Sequence, residues 1–189
     1  MKLAYAFCGS FCTHSKSLSV LKQLVQKHEI TPILSEASRD TDTRFGNAEA
    51  LRKTVTEICG KEPILSIRSA EEQITRGVFD AVIVSPCTGN TLAKIANGIT
   101  DSTVTMCVKA QLRCRKPVLI ALATNDGLGA NLSNIAKTIE KKNIYFVPLG
   151  QDSPNGKPTS LVCDFNLLEQ SLDCASRGVQ IQPLLLRDV

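Results

Sequence analysis

Apolar residues along this chain alternate between short continuous runs and series spaced like one face of a helix. Lys2–Phe7 is a short apolar run closed by Gly9-Ser10, the pattern of a buried strand. Ser15 to His28 carries Leu18, Leu21, Leu24 and Val25 at helix spacing, and Ile30–Leu34 is a second strand. Ser35 to Gly46 is polar and reads as a loop. Ala48 to Cys59 is helical, with Leu51, Val55 and Ile58 on one face. Pro63–Ile67 reads as a short third strand and Ala70–Thr75 as a short helix. Phe79–Val84, continuous and β-branched, is the clearest parallel strand, the fourth. Helices are predicted over Thr91–Asn97 and Ser102–Arg113, a fifth strand over Pro117–Leu122 and a helix over Asn131–Lys141. A sixth strand follows at Ile144–Val147, then a loop over Pro148–Pro158, a helix over Asn166–Ala175 and an extended tail.

Strands alternating with helices predict βαβ units and right-handed crossovers. The fold class expected is α/β, a Rossmann-like three-layer sandwich with a mostly parallel, doubly wound sheet. The 189 residues, 43% hydrophobic and 21% charged, suit one domain spanning 1–189 and exclude a disordered chain. No apolar run approaches the ~20 residues of a membrane helix. The start is broken by Gly9 too early for a signal peptide, so a cytoplasmic location is expected. Net charge is +4, basic residues are scattered and Trp is absent, so nucleic-acid binding is not expected. Eight cysteines without an export signal read as reduced thiols.

Ligands of open α/β sheets bind outside the carboxyl ends of the strands. The segments there are Cys8-Gly9-Ser10-Phe11-Cys12-Thr13, Ser35-Glu36-Ala37-Ser38, Ser85-Pro86-Cys87-Thr88-Gly89-Asn90-Thr91 and Thr124-Asn125-Asp126-Gly127. Small, hydroxyl and amide residues beside helix starts offer N–H groups to a phosphate; the same residues serve ordinary capping and turns. Neither G-x-G-x-x-G nor G-x-x-x-x-G-K-[ST] is present, which excludes a P-loop NTPase.

Ser85–Ser102, read with Gly9-Ser10, Cys12-Thr13, Thr43-Arg44-Phe45-Gly46, Thr124–Gly129 and Pro148–Pro154, resembles the flavoprotein family of FMN-containing cysteine decarboxylases and flavin prenyltransferases. The resemblance implies a Rossmann-like sandwich that binds FMN and assembles into trimers or larger homo-oligomers. By position it assigns Gly9, Ser10 and Phe11 to the first flavin loop and Ser35 to the phosphate. Thr88, Gly89, Asn90 and Thr91 fall to the flavin or its phosphate. Decarboxylases of the family carry Pro-Ala-Met-Asn where this chain has Ala123-Thr124-Asn125, so only Asn125 matches and decarboxylation does not carry over. The resemblance is closest to a branch that forms one subunit of a sporulation oxidoreductase. That enzyme aromatises a dihydropyridine dicarboxylate, and a partner subunit carries the NAD(P) site.

A small dicarboxylate substrate calls for a cation. Arg44 is the candidate clamp, its guanidinium suited to bidentate recognition, or else a loop arginine paired with Asp40 or Asp42. Lys109 and Arg113 read as solvated or interfacial. His14, beside the expected site, is the candidate for proton exchange. Asn125 is a ligand contact, and Asp126 is either a base or an Asp-Gly turn residue. Cys8, Cys12 and His14 lack a second ligand pair for zinc, so no metal is expected. Cys12 reads as a small residue near the ligand, or as a thiol activated by His14. His28 reads as a helix C-terminal cation. Two further readings stand beside the oxidoreductase subunit: an FMN-dependent decarboxylase and a non-catalytic assembly subunit.

Overall fold

The computed structural model describes residues 1–187. Three runs of continuous apolar sequence form the centre of one sheet: β1 (Lys2–Phe7), β3 (Ala81–Cys87) and β4 (Val118–Thr124). With β2 (Glu29–Leu34), β5 (Ile144–Phe146), β6 (Leu149–Gly150) and β7 (Leu161–Cys163) the sheet has seven strands. Its order is β2-β1-β3-β4-β7-β6, and β5 also pairs with β4. β1, β2, β3, β4 and β5 are parallel, with Leu3 opposite both Ile30 and Ala81, and Val82 opposite Val118. Such strands are covered on both faces, which is why they read as unbroken apolar runs. Helices α1 (His14–Leu24) and α8 (Leu168–Ser176) pack on each other and on the sheet, and α3 (Ala48–Cys59) packs on α1 and β2. α6 (Thr103–Arg113) packs on β2, β3 and β4, with α4 (Ile67–Ile74) and α5 (Gly89–Asn97) against it. The α/β three-layer sandwich is the architecture expected. Its interior is one continuous apolar cluster from Leu3 to Leu172.

Four local differences from the expected elements have physical causes. Pro63–Ile67 is not a strand: only Ile64 bridges to Ile33, and Ser66 then caps α4, accepting from Ser69 N at 3.2 Å. The polar stretch from Ser35 contains a short helix, α2 (Glu36–Asp40), because the Ser35 hydroxyl accepts from Ser38 N. The Pro/Gly-rich stretch from Pro148 hides β6, and β7 follows it. β7 is antiparallel, with Val162 opposite Ala123 and Leu161 opposite Thr124, and it wedges between the carboxyl end of β4 and β6. Three-residue strands carry too little pattern to be read alone. His28 lies beyond the end of α1, with Nδ1 3.4 Å from the N-terminal ammonium. Partial burial and that cation lower its pKa, so it is not the helix-end cation expected. In the tail, Leu149 N donates to Leu184 O and Leu186 N to Leu149 O, both at 2.8 Å, which closes the outer side of β6.

Backbone bonds beyond the strand ends set the loops above the sheet. Cys8 N donates to Pro86 O at 3.1 Å, and Ser35 N to Phe7 O at 2.9 Å. Beneath them a buried hydroxyl cluster joins β1, α1 and β3. Tyr5 Oη donates to Ser85 Oγ at 2.9 Å and lies 2.9 Å from Ser17 Oγ, which donates to Ser85 O at 2.7 Å. Glu36 joins α2 to α6: its Oε1 accepts from Thr103 N at 2.8 Å and Thr103 Oγ1 at 2.7 Å, an anion on a helix N-terminus.

The hydroxyl cluster gives a direct test. In Tyr5→Phe the two serines keep their mutual bond, so only the phenol's contacts are lost. Urea denaturation is expected to show destabilisation of about 1 kcal/mol with an unchanged m-value.

Candidate functional site

The loops after β1, β3 and β4 and the segment between β6 and β7 surround one open cavity of about 1080 Å³. It sits at the carboxyl ends of the strands, as a doubly wound sheet predicts. Gly9, Ser10, Phe11, Arg44, Thr88, Gly89, Asn90, Asn125 and Asp126 all line it, so nine residues singled out in the sequence converge. Lys16, Thr124, Asn131, Asp152 and Lys157 line it too.

Each wall has a local reason for its shape. In the first, Thr13 Oγ1 donates to Ser10 O at 2.8 Å, tying the 3-10 turn Phe11–Thr13 to the start of α1 and bringing Lys16 to the cavity. In the second, Thr88 caps α5: its hydroxyl accepts from Thr91 N at 3.1 Å. The first intrahelical bond of α5 is Leu92 N to Thr88 O, at 2.9 Å. The amides of Gly89 and Asn90 precede it and have no intrahelical acceptor, so they are available to an anion. The third wall is built on Asp126. Its Oδ1 accepts from Thr124 Oγ1 and from Asn131 Nδ2, the latter at 2.8 Å. These bonds hold the Asp126 carboxyl below the usual carboxylate range. Asp126 is therefore an anionic acceptor rather than a base poised near neutrality. α5 presses on this group at Gly89, where a Cβ would collide with Asn131 Nδ2 and Thr124 Oγ1.

Charge across the cavity follows the strand order. Arg44 (after β2) and Lys16 (after β1) stand at one end, Asp126 (after β4) and Asp152 (after β6) at the other. Lys157 pairs with Asp152 at 3.2 Å. Lys16 and Arg44 have no ion pair among the described residues. Asp40 pairs with Arg39 at 2.6 Å and Asp42 accepts from Ala48 N at 2.9 Å, so neither is the partner considered for Arg44. Instead the Arg44 guanidinium lies 4.8 Å from the centre of the Phe45 ring. The carboxamides of Asn90 and Asn125 have no hydrogen bond to other described residues.

Three expected residues stand outside this lining. Ser35 has its hydroxyl engaged with Ser38, accepting from N and donating to Oγ, both at 3.2 Å. Thr91 is buried, its hydroxyl 3.0 Å from that of Thr88. His14 lies on the far side of Phe11, lining a smaller apolar cavity with Phe45, Leu18 and Leu51. Its Nε2 donates to Cys8 O at 2.8 Å and its ring meets Phe7 edge-on. Burial lowers the His14 pKa, so the ring is neutral at pH 7. Burial also pushes the Cys8 thiol up to about 11, away from thiolate chemistry. Among the described residues no cluster of three His, Cys, Asp or Glu is placed to hold a metal, and no helix is long and apolar enough to cross a membrane. Lys16 was legible in principle, as a cation in the first helical turn after a strand-end Gly-Ser. Asn131 carried no signal, because its role depends on tertiary contact with Asp126.

The neutral His14 makes stability depend on pH. Its folded pKa lies below its unfolded value of about 6.5, so the unfolded chain takes up the proton first as pH falls. Stability is complete above that value and declines as pH drops below it. Urea titrations at about pH 7.5 and pH 5.5 are expected to show this decline. His14→Gln, which keeps a donor for Cys8 O, is expected to show a smaller one; an equal decline would place the proton uptake elsewhere.

Comparison with known proteins identifies the family to which this fold belongs. Residues 1–166 match the family model described as Flavoprotein. The chain is 36% identical over 188 residues to the B subunit of dipicolinate synthase from Bacillus subtilis strain 168, covering 99% of this chain and 94% of that one. The crystal structure of the dipicolinate synthase B subunit from Bacillus halodurans C superposes with a TM-score of 0.90 at 36% identity, covering 100% of this chain and 97% of that one. Burkholderia xenovorans DmrB in complex with FMN shares the fold, with a TM-score of 0.68 at 17% identity, covering 91% and 93% of the two chains. A strand-end cavity with an open helix N-terminus and a match over 1–166 lead to one conclusion: the chain belongs to the Flavoprotein family.

Proposed function

We propose that this chain is the B subunit of a dipicolinate synthase, with FMN and a dicarboxylate substrate sharing the cavity above β1, β3 and β4. The observation that carries the reading is the order of charge in that cavity. Lys16 and Arg44 form an electropositive part at one end, Asp126 forms an acceptor part at the other, and the open amides of α5 lie between them against the Asp126 group. FMN has a phosphate and a ring edge bearing an N–H, so its two ends match the two parts. The donor set fits the group: Ser10 on the first loop and Lys16 in the first turn of α1, Gly89 and Asn90 at α5, and the carboxamide of Asn125, which has no partner among the described residues. The sequence relationship to the Bacillus subtilis protein covers both chains almost entirely, which favours the same role.

Flavin, when bound, supplies a two-electron acceptor. The residues of this chain bind and orient. The planar fork of Arg44, stacked on Phe45 and without an ion pair among the described residues, takes a substrate carboxylate. Asn125 is held from behind, its backbone O accepting from Thr159 Oγ1 at 2.7 Å, so its side-chain amide is directed by a fixed backbone. Apolar Phe11, Phe45 and Val162 line the same space and reduce its water content. His14, neutral and behind Phe11, supports the loop in this reading and does not exchange substrate protons. The reading includes a cytoplasmic homo-oligomer that acts beside the A subunit of dipicolinate synthase, which would carry NAD(P).

The test is the absorbance spectrum of purified protein after incubation with FMN and desalting. Near-stoichiometric flavin is expected to remain bound. Lys16→Ala is expected to weaken FMN about tenfold, roughly 1.4 kcal/mol. Arg44→Ala is expected to raise the KM for the dicarboxylate while leaving FMN in place. Protein that retains no FMN would remove the flavin claim and transfer hydride acceptance to the nicotinamide-bearing partner.

A further inference from the structure

Asp126 is one end of a hydrogen-bond chain that crosses from the cavity, between α5 and α7 (Leu132–Ile139), to the surface. Lys137 Nζ donates to Asn97 Oδ1 at 3.3 Å, and Asn97 Nδ2 donates to Asn134 Oδ1 at 3.4 Å. Asn134 Nδ2 donates to Asn131 Oδ1 at 2.9 Å, and Asn131 Nδ2 donates to Asp126 Oδ1 at 2.8 Å. Every link points the same way, from an ammonium to a carboxylate. The sense is set by the ends: an ammonium only donates and a carboxylate only accepts. Turning the Asn131 amide over would set its oxygen against Asp126 Oδ1. Asn131 is only 6% exposed, so its polar atoms need these partners. Both contacts made by side-chain donors fall on Oδ1 of Asp126, and Oδ2 has no partner among the described residues.

We infer that Asn131 and Asn134 are positioning residues that fix Asp126 by one oxygen and so present the other to the cavity as the acceptor for a heterocyclic N–H. That the cavity is the flavin site is the reading given above, and the ligand assigned here rests on it. Asn134 touches nothing in the cavity and acts only through Asn131. The charged groups sharing the cavity with Asp126 are Lys16 on α1, Arg44 on the loop after α2, and the paired Asp152 and Lys157. The chain from α7 adds amide dipoles, with Lys137 at its outer end.

The experiment is a carboxyl carbon NMR titration of the full chain without ligand, with the Asp126 signal assigned by its loss in Asp126→Asn. Asn131→Leu and Asn134→Leu are each expected to raise the Asp126 midpoint, the first by about half a pH unit or more, a threefold change in proton affinity. Asn134→Gln retains the amide and is expected to return most of the way to the parent. Coincident midpoints in the parent and Asn134→Leu overturn the inference, and this variant decides alone if Asn131→Leu does not fold. A positioning role also predicts that Asn134→Leu weakens FMN relative to the parent more at about pH 4 than at pH 8, because protonation of Asp126 weighs only at acid pH. Equal loss at both values would show a general structural effect and overturn it. Absence of FMN binding by the parent at pH 8 would instead remove the flavin reading and the ligand assigned to Asp126, while the midpoints still decide the amide chain.

Discussion

The close approach of α5 to the end of β4 is the constraint on which the rest of the site depends. Gly89 is the first residue of the helix, and its missing Cβ is what lets the backbone reach the Thr124–Asp126–Asn131 group. That contact sets two features of opposite sign side by side. The open amides of Gly89 and Asn90 favour an anion, and the Asp126 carboxylate favours a donor. A helix starting one turn later would leave the carboxylate solvated and the amides away from the cavity. The parallel order β1-β3-β4 beneath brings Lys16, α5 and Asp126 into line above adjacent strands. The polarity of the cavity is thus a property of strand order as much as of side chains.

Long apolar runs were the legible part of the sequence. β1, β3 and β4 are buried on both faces, so polar residues in them are few and hydrophobicity marks them. Their carboxyl ends then marked the site, because small and amide residues there serve either caps or ligands. Which of the two applied was not legible. Thr88 both caps a helix and borders the cavity, whereas the hydroxyl of Ser35 is engaged in capping α2. β7 was missed because a three-residue antiparallel strand exists only through its pairing with β4 and β6. The role of Asn131 was invisible for a similar reason: nothing local predicts that its amide meets a carboxylate five residues back. His14 shows the converse, a residue next to the site in sequence whose ring turns behind Phe11.

Membership of the Flavoprotein family explains why the scaffold is shared with proteins at low identity. The loop in this chain, Thr124 to Asn131, is stitched from one side by Thr159 and Ser160 and from the other by the amides of α7. Its backbone is therefore held before any ligand arrives, which reduces the ordering cost of binding. The cations are less constrained. Lys16 and Arg44 are exposed and without ion pairs among the described residues, so they can follow a ligand anion at little cost, and their attraction will weaken with salt.

A crystal structure of the protein grown with FMN tests the central claim most directly. Phosphate density is expected beside Lys16 and Ser10, with the ring directed toward Asn125 and Asp126. Flavin bound elsewhere, or with its phosphate against Asp126, would contradict it.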